Sequence, residues 1–241
     1  MARQLYDYWF VQFDFPDENG RPYKSSGGKM VWNEKLKREI PEGWEETSIE
    51  ALCDINSRSL STKDDLREIE YLDTSNLTEN VISETQRIKR ADAPSRAQRK
   101  VREYSILYST VRPRLKHFGI LCNPPQNFIV STGFAVLDAK EDYAFYLYLW
   151  LTSNLITEHL GNLADTAVSA YPSINPSDIA SLLVALPPDR CLKLFNETIN
   201  PLYRVISDNQ VGMKSFGKMR DDLLPLLMNS QVSVRQLNNH L

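Results

Sequence analysis

A chain of 241 residues that is 42% hydrophobic and 24% charged has the composition of a globular protein, with room for one large domain or a domain and an appendage; this excludes intrinsic disorder. The most apolar window, YAFYLYLWLTSNLI at 143–156, is broken by Thr152, Ser153 and Asn154 and followed by Glu158 and His159, so it reads as a buried helix and not as a membrane span. Three widely spaced cysteines, Cys53, Cys122 and Cys191, argue against a disulfide framework, and the opening MARQLYDYWF lacks the apolar core of a secretory signal; the cytoplasm is the expected location.

Residues 2–15 carry Leu5, Tyr6, Tyr8, Trp9, Phe10 and Phe13, which predicts a short aromatic-rich helix closed by Pro16. The following PDENGRPYKSSGG is dense in turn formers and predicts a connector. From EIPEGWEETSIEALC at 39 to Pro188, short β-branched or aromatic runs (EIEYLDTS, YSILYST, FGILC, NFIVST, GFAVLD) alternate with turns. Helices are predicted to interrupt them over 142–160 and 176–183. The segments are then a helix and linker over 1–38, a mixed α/β domain over 39–188, and a distinct C-terminal region over 189–241. The fold class is α+β.

That last region has its own periodicity. Positions 195, 199, 202, 206, 209, 213, 216, 220, 223 and 227 alternate steps of four and three, occupied by Phe195, Ile199, Leu202, Ile206, Asn209, Met213, Phe216, Arg220, Leu223 and Leu227. Such a heptad seam with two polar interruptions wants a partner helix. Asn200-Pro201 is either a helix start or a kink in a longer helix beginning near Asp189. The helix reaches roughly 40 Å or more at 1.5 Å per residue. A helix folded back on its own domain would show a wider apolar stripe, so the expectation is an intermolecular or inter-domain coiled coil.

The net charge of −3 hides an asymmetry. Between 87 and 116 stand ten basic residues (Arg87, Lys89, Arg90, Arg96, Arg99, Lys100, Arg102, Arg112, Arg114, Lys116) against Asp92 and Glu103, so the remainder carries −11. A local balance of +8 on an otherwise acidic chain suits a polyanion docked on one face. The alternative is a solvated face.

Signatures of catalysis are absent from the pattern. His117, His159 and His240 have no metal-ligand spacing with one another or with the cysteines, and neither a serine elbow nor a glycine-rich phosphate loop occurs; SSGGK at 25–29 lacks the upstream glycine. CNPPQNF at 122–128 is similar to the Asn-Pro-Pro-aromatic motif of adenine methyltransferases, but Gln126 stands where the base-stacking aromatic belongs. Pro124-Pro125 therefore reads as a turn between two strands. No metal or catalytic site is assigned.

EIPEGWE (39–45), APSRAQRKV (93–101), ILYSTVRP (106–113), NFIVSTGFAVL (127–137), YPSINPSDI (171–179), ALPP (185–188) and MRDDLLPLLMNSQVSV (219–234) together resemble specificity subunits of type I restriction-modification systems. The opening ARQLYDYWFVQFDF is similar to the tail of that family's central conserved helix. Full-length members have two target-recognition domains and two long helices, and this chain has one of each, so it resembles a half-length form. The resemblance implies one recognition domain followed by a long coiled-coil helix. It also implies a non-catalytic role in which the domain reads half of a bipartite double-stranded DNA target, while partner modification subunits, which hold S-adenosylmethionine, methylate adenine and a restriction subunit translocates. No cofactor is expected on this chain and no membrane. A homodimer or a pair with another half subunit is expected through Phe195, Ile199, Leu202, Ile206, Met213, Phe216, Leu223 and Leu227. A divergent adenine methyltransferase fragment, or a coiled-coil adaptor without DNA contact, are the alternative readings.

Lys100, Arg114 and Lys116 are expected at phosphates, since an exposed cation gains by counterion release whatever the sequence. Arg96, Arg99 and Arg112 are expected at base edges, because a guanidinium bonds guanine bidentately. Arg112 has a second open reading, as a brace to a carboxylate such as Asp73. Ser109, Thr110, Ser131 and Thr132 are candidates for phosphate hydrogen bonds or for turn caps, and Tyr171 for DNA contact or packing.

Overall fold

The computed structural model describes residues 1–166 and 171–229, with Glu141 and Lys214 described by backbone only. The end of the MRDDLLPLLMNSQVSV stretch, and His240, lie outside the described residues. Two compact units are present, residues 1–199 and residues from 200 onward.

The first unit begins with helix α1 (Ala2–Tyr6), which widens into a π-helical turn over Asp7–Val11. Strands β1 (Met30–Asn33) and β2 (Arg38–Pro41) form a hairpin, and β3 (Glu45–Ser48) leads into the one-turn helix α2 (Ile49–Leu52) and β4 (Cys53–Ile55). Then follow β5 (Glu68–Leu72), the short pair β6 (Leu77–Thr78) and β7 (Val81–Ile82), β8 (Gln86–Lys89), β9 (Ala97–Lys100), β10 (Ile106–Ser109), β11 (Phe118–Ile120), β12 (Phe128–Ser131) and β13 (Phe134–Ala139). Helices α3 (Ala144–Leu151), α4 (Asn154–Asp165) and α5 (Pro176–Ala180), then β14 (Leu183–Leu186), precede helix α6 (Asp189–Met228).

Two four-stranded sheets form the body. One has the order β11-β10-β13-β4 and is antiparallel throughout; the other has the order β8-β5-β12-β9, with β5 and β12 parallel. Leu72, Phe128 and Val130 of the second sheet meet Leu107, Phe134 and Val136 of the first in one buried cluster. The opposite face of β5, β9 and β12 buries Ile69, Tyr71, Ala97 and Ile129 beneath Leu60 and Leu66. The near-continuous apolar runs ILY and FAVL reflect burial on both faces.

The helix expected over 142–160 is two helices. α3 is buried on nearly every side, and the chain breaks at Thr152-Ser153, where Ser153 caps α4 by accepting from the Ile156 N–H. The second expected helix ends at Ala180, and Leu183–Leu186 instead pairs with β3. Pro124-Pro125 lies in the connection between β11 and β12 and leads into a turn centred on Gln126-Asn127, with the Phe128 N–H bonded to the Pro125 carbonyl at 2.9 Å.

The compact unit is wider at both ends than residues 39–188. Tyr6, Trp9 and Phe10 are buried, and Phe10 meets Phe195 edge-on at 4.8 Å and Tyr146 at the same distance. Large rings at both ends of the unit thus share one aromatic core, worth more than their area alone through edge-to-face geometry.

Of the two openings weighed for the last helix, the longer is observed: α6 is continuous over 40 residues with Pro201 inside it. In the second unit its apolar side chains are largely uncovered, Met213 and Phe216 of the seam at 71% exposure each.

Candidate nucleic-acid interface

Strands β5, β10 and β12 end, and β9 and β13 begin, at the same end of the two sheets. Their connecting loops are joined by backbone hydrogen bonds. The Thr132 N–H donates to the Arg96 carbonyl (2.8 Å), and the Thr110 N–H to Gly133 (2.9 Å). The Ile174 N–H donates to Thr110 and the Arg112 N–H to Pro172, each at 2.9 Å. A β-carbon at Gly133 would meet the Thr74 methyl at 2.8 Å, so glycine is what lets the β12–β13 turn lie against the loop after β5. Loops from five places in sequence thereby make one surface.

Asp73 organises the loop after β5. Its carboxylate accepts from the Tyr71 hydroxyl (2.8 Å) and from the Ser75 N–H (3.3 Å). Partial burial works against its charge, but these donors prevail and hold the carboxyl below the usual aspartate value. Tyr71 is pushed the other way, chiefly by burial. Among the described residues Asp73 makes no ion pair with Arg112. Its organising role was legible only as the turn-forming run DTSN, a pattern too common to single out.

Four of the expected contacts project from this surface. Arg96 and Thr132 are exposed on adjacent turns joined by their own backbone bond. Arg112 is exposed in the left-handed region (φ 50°), a conformation that costs a non-glycine residue on the order of 1–3 kcal/mol and survives only where neighbours over-determine it. Here the bridge between Val111 and Ser173 and the flanking hydrogen bonds do so. Tyr171 is 60% exposed with the Arg112 guanidinium 5.3 Å from its ring centre.

The remaining expected contacts are engaged within the chain itself. Ser131 and Ser109 are buried, the latter donating to the Val111 carbonyl, and the Thr110 hydroxyl donates to Gly133 (3.0 Å); all three hold the turns internally. Arg114 bonds Asp165 (2.5 Å), Asn162 (2.6 Å) and Glu158 (3.4 Å), clamping its turn to α4. Lys100 pairs with Asp64 (2.6 Å) and Lys116 with Glu79 (2.9 Å). The Arg99 Nη1 donates to Ser59 (3.2 Å) while its Nε is enclosed without a partner.

The run of ten cations is not one face. β8 and β9 lie on opposite edges of their sheet, and Arg87 and Lys89 stand opposite Glu70 and Glu68 on β5. Arg90 donates to the Asp64 and Ser61 carbonyls, and Arg102 to Ala139. Carboxylates distant in sequence pair with four of the ten, Lys100, Arg102, Arg114 and Lys116. Among the described residues Arg96 and Arg112 are the cations of the loop surface without an ion pair.

The expected interface set divides as well. Phe195 and Ile199 are fully buried within the first unit, Phe195 against Tyr6, Trp9 and Phe10; they are core residues and not interface. Leu202 and Leu223 are half-buried, and Ile206, Met213, Phe216 and Leu227 are exposed. Among the described residues no cluster of three or more His, Cys, Asp or Glu side chains could hold a metal, and no helix is long and apolar enough to cross a membrane.

The profile of the type I restriction modification DNA specificity domain matches residues 41–202, and the chain belongs to that family. Over 98% of its length it is 25% identical to the type I restriction enzyme MjaIX specificity subunit of Methanocaldococcus jannaschii, of which it covers 53%. It is 27% identical over 164 residues to the HindI specificity subunit of Haemophilus influenzae, covering 66% of this chain and 35% of that protein. The chain thus spans about half, or less, of the length of these relatives. In fold it is similar to the HsdS subunit from Thermoanaerobacter tengcongensis (TM-score 0.54, 24% identity, 77% of this chain and 48% of that one). It is similar also to a chain from a study of type I restriction-modification complex assembly (TM-score 0.57, 24% identity, 80% and 50%).

Proposed function

We propose that this chain is the DNA-reading component of a type I restriction-modification complex, recognising one half of a bipartite duplex target and performing no catalytic step itself. The observation that carries this is the five-loop surface on which Arg96, Thr132, Arg112 and Tyr171 project together, within a chain of the DNA specificity family. Separate modification subunits, carrying S-adenosylmethionine, methylate adenine at the site so chosen, and a translocating restriction subunit completes the complex. Two copies, or this chain and another half-length chain, pair through the exposed seam of α6 at Ile206, Met213, Phe216 and Leu227, assisted by Leu202 and Leu223. An isologous pair presents two recognition surfaces to an inverted repeat with an untouched spacer. The complex works in the cytoplasm, where its DNA lies. Methylome sequencing of cells with the intact system and with this chain deleted tests the reading: a bipartite adenine-methylated motif disappears from the deletant, whereas an unchanged methylome overturns it.

A further inference from the structure

An arginine that reads guanine needs two things that usually conflict. Its guanidinium must be held in place, and its N–H donors must stay uncommitted. Ion pairing satisfies the first and forfeits the second: Arg114 is held, but its Nε, Nη1 and Nη2 are all spent on Glu158, Asp165 and Asn162. Arg112 is held differently. Its guanidinium carbon sits 5.3 Å from the centre of the Tyr171 ring, within cation–π range, and its side-chain N–H groups make no hydrogen bond with the described residues.

The backbone fixes both partners. Arg112 donates to the carbonyl of Pro172, the residue next to Tyr171, and Val111 bridges Ser173. The two side chains therefore leave adjacent rungs of one short antiparallel ladder. Pro172 restricts the conformation of Tyr171 before it. The Tyr171 ring gives the cation an apolar neighbour, which suits a base edge better than a solvated phosphate.

We propose that Arg112 reads the N7 and O6 acceptors of a guanine in the major groove and that Tyr171 is the positioning residue that holds its guanidinium while leaving the donors free. The assignment rests on the DNA-recognition reading above. It specifies that one position of the half-site is a guanine, and that its recognition depends on a ring face at 171 and a fork at 112.

The test is selection from a randomised duplex pool by the full chain, followed by affinities on the enriched duplex. Arg112→Lys keeps the charge and removes the fork. Tyr171→Leu keeps apolar bulk and removes the ring face, and Tyr171→Phe keeps the face. The unaltered chain enriches a motif containing a guanine. At that column Arg112→Lys and Tyr171→Leu lose roughly tenfold or more of discrimination, with other columns unchanged, while Tyr171→Phe retains it. Replacing that guanine by 7-deazaguanine, which lacks N7, weakens the unaltered chain and the Tyr171→Phe variant more than it weakens Arg112→Lys, whose ammonium has no planar fork. If Tyr171→Leu does not fold, the 7-deazaguanine comparison between the unaltered chain and Arg112→Lys decides alone. A motif whose guanine column survives Arg112→Lys, or uniform weakening across all columns, overturns the assignment and returns Arg112 to the phosphates. Failure of the unaltered chain to enrich any motif overturns the DNA-recognition reading itself, and this assignment with it.

Discussion

The Arg58 guanidinium grips the Asp138 carboxylate through Nε (3.2 Å) and Nη2 (3.0 Å), tying the segment after β4 to β13. Asp138 is buried and also accepts from the Ser105 hydroxyl at the start of β10, so a single carboxylate joins three parts of the antiparallel sheet. Asp138→Ala strands these donors and costs about 3 kcal/mol, as when one member of a buried pair is removed. Urea unfolding followed by circular dichroism measures it. A midpoint equal to that of the unaltered chain would show that the network contributes nothing.

Exposed and clamped arginines separate in binding assays. Arg96→Ala weakens specific duplex binding by about 1–3 kcal/mol and leaves the melting temperature nearly unchanged. Arg114→Ala does the reverse, lowering the melting temperature by freeing the 113–115 turn from α4 while duplex affinity holds. Fluorescence anisotropy and calorimetry on the pair of variants check both. Equal losses of affinity would put Arg114 back at the DNA.

The helix positions 195 and 206 belong to one heptad series but not to one role. Phe195→Ala opens a cavity among Tyr6, Trp9 and Phe10 and destabilises the first unit by roughly 3–5 kcal/mol. Ile206→Asp with Met213→Asp leaves that unit's unfolding unaltered and converts the expected dimer to monomer. Analytical ultracentrifugation at micromolar concentration reports the second outcome, and a monomeric unaltered chain there would leave α6 to a different partner.

Asp73 carries a pH signature. Its carboxyl is depressed below the usual 3.8, so the stability it contributes is fully present above that value and is lost as pH falls through the folded value beneath it. Tyr71→Phe removes a donor to the carboxylate and raises its midpoint toward 3.8. Carboxyl-carbon NMR titration of the two chains reads the shift, and coincident curves would mean that the Tyr71 bond is not formed in solution.

Local pattern determined the strands. YSILYST, NFIVST and GFAVLD form β10, β12 and β13 because side-chain chemistry and turn residues act within a few positions. The seven family-like stretches were equally legible, as was the four-three alternation on α6. Tertiary structure decided what those residues do. Whether a cation is free depends on which carboxylate folding brings near: Asp165 stands 51 residues from Arg114, and Asp64 36 from Lys100, so a charge count over 87–116 saw a stripe where the fold makes ion pairs. The seam likewise begins with Phe195, in step with the positions after it, yet burial there is settled by an aromatic segment nearly two hundred residues earlier, at Tyr6 to Phe10. Periodicity states that a helix has an apolar face. Only packing states what covers it, because the covering atoms come from elsewhere in the chain.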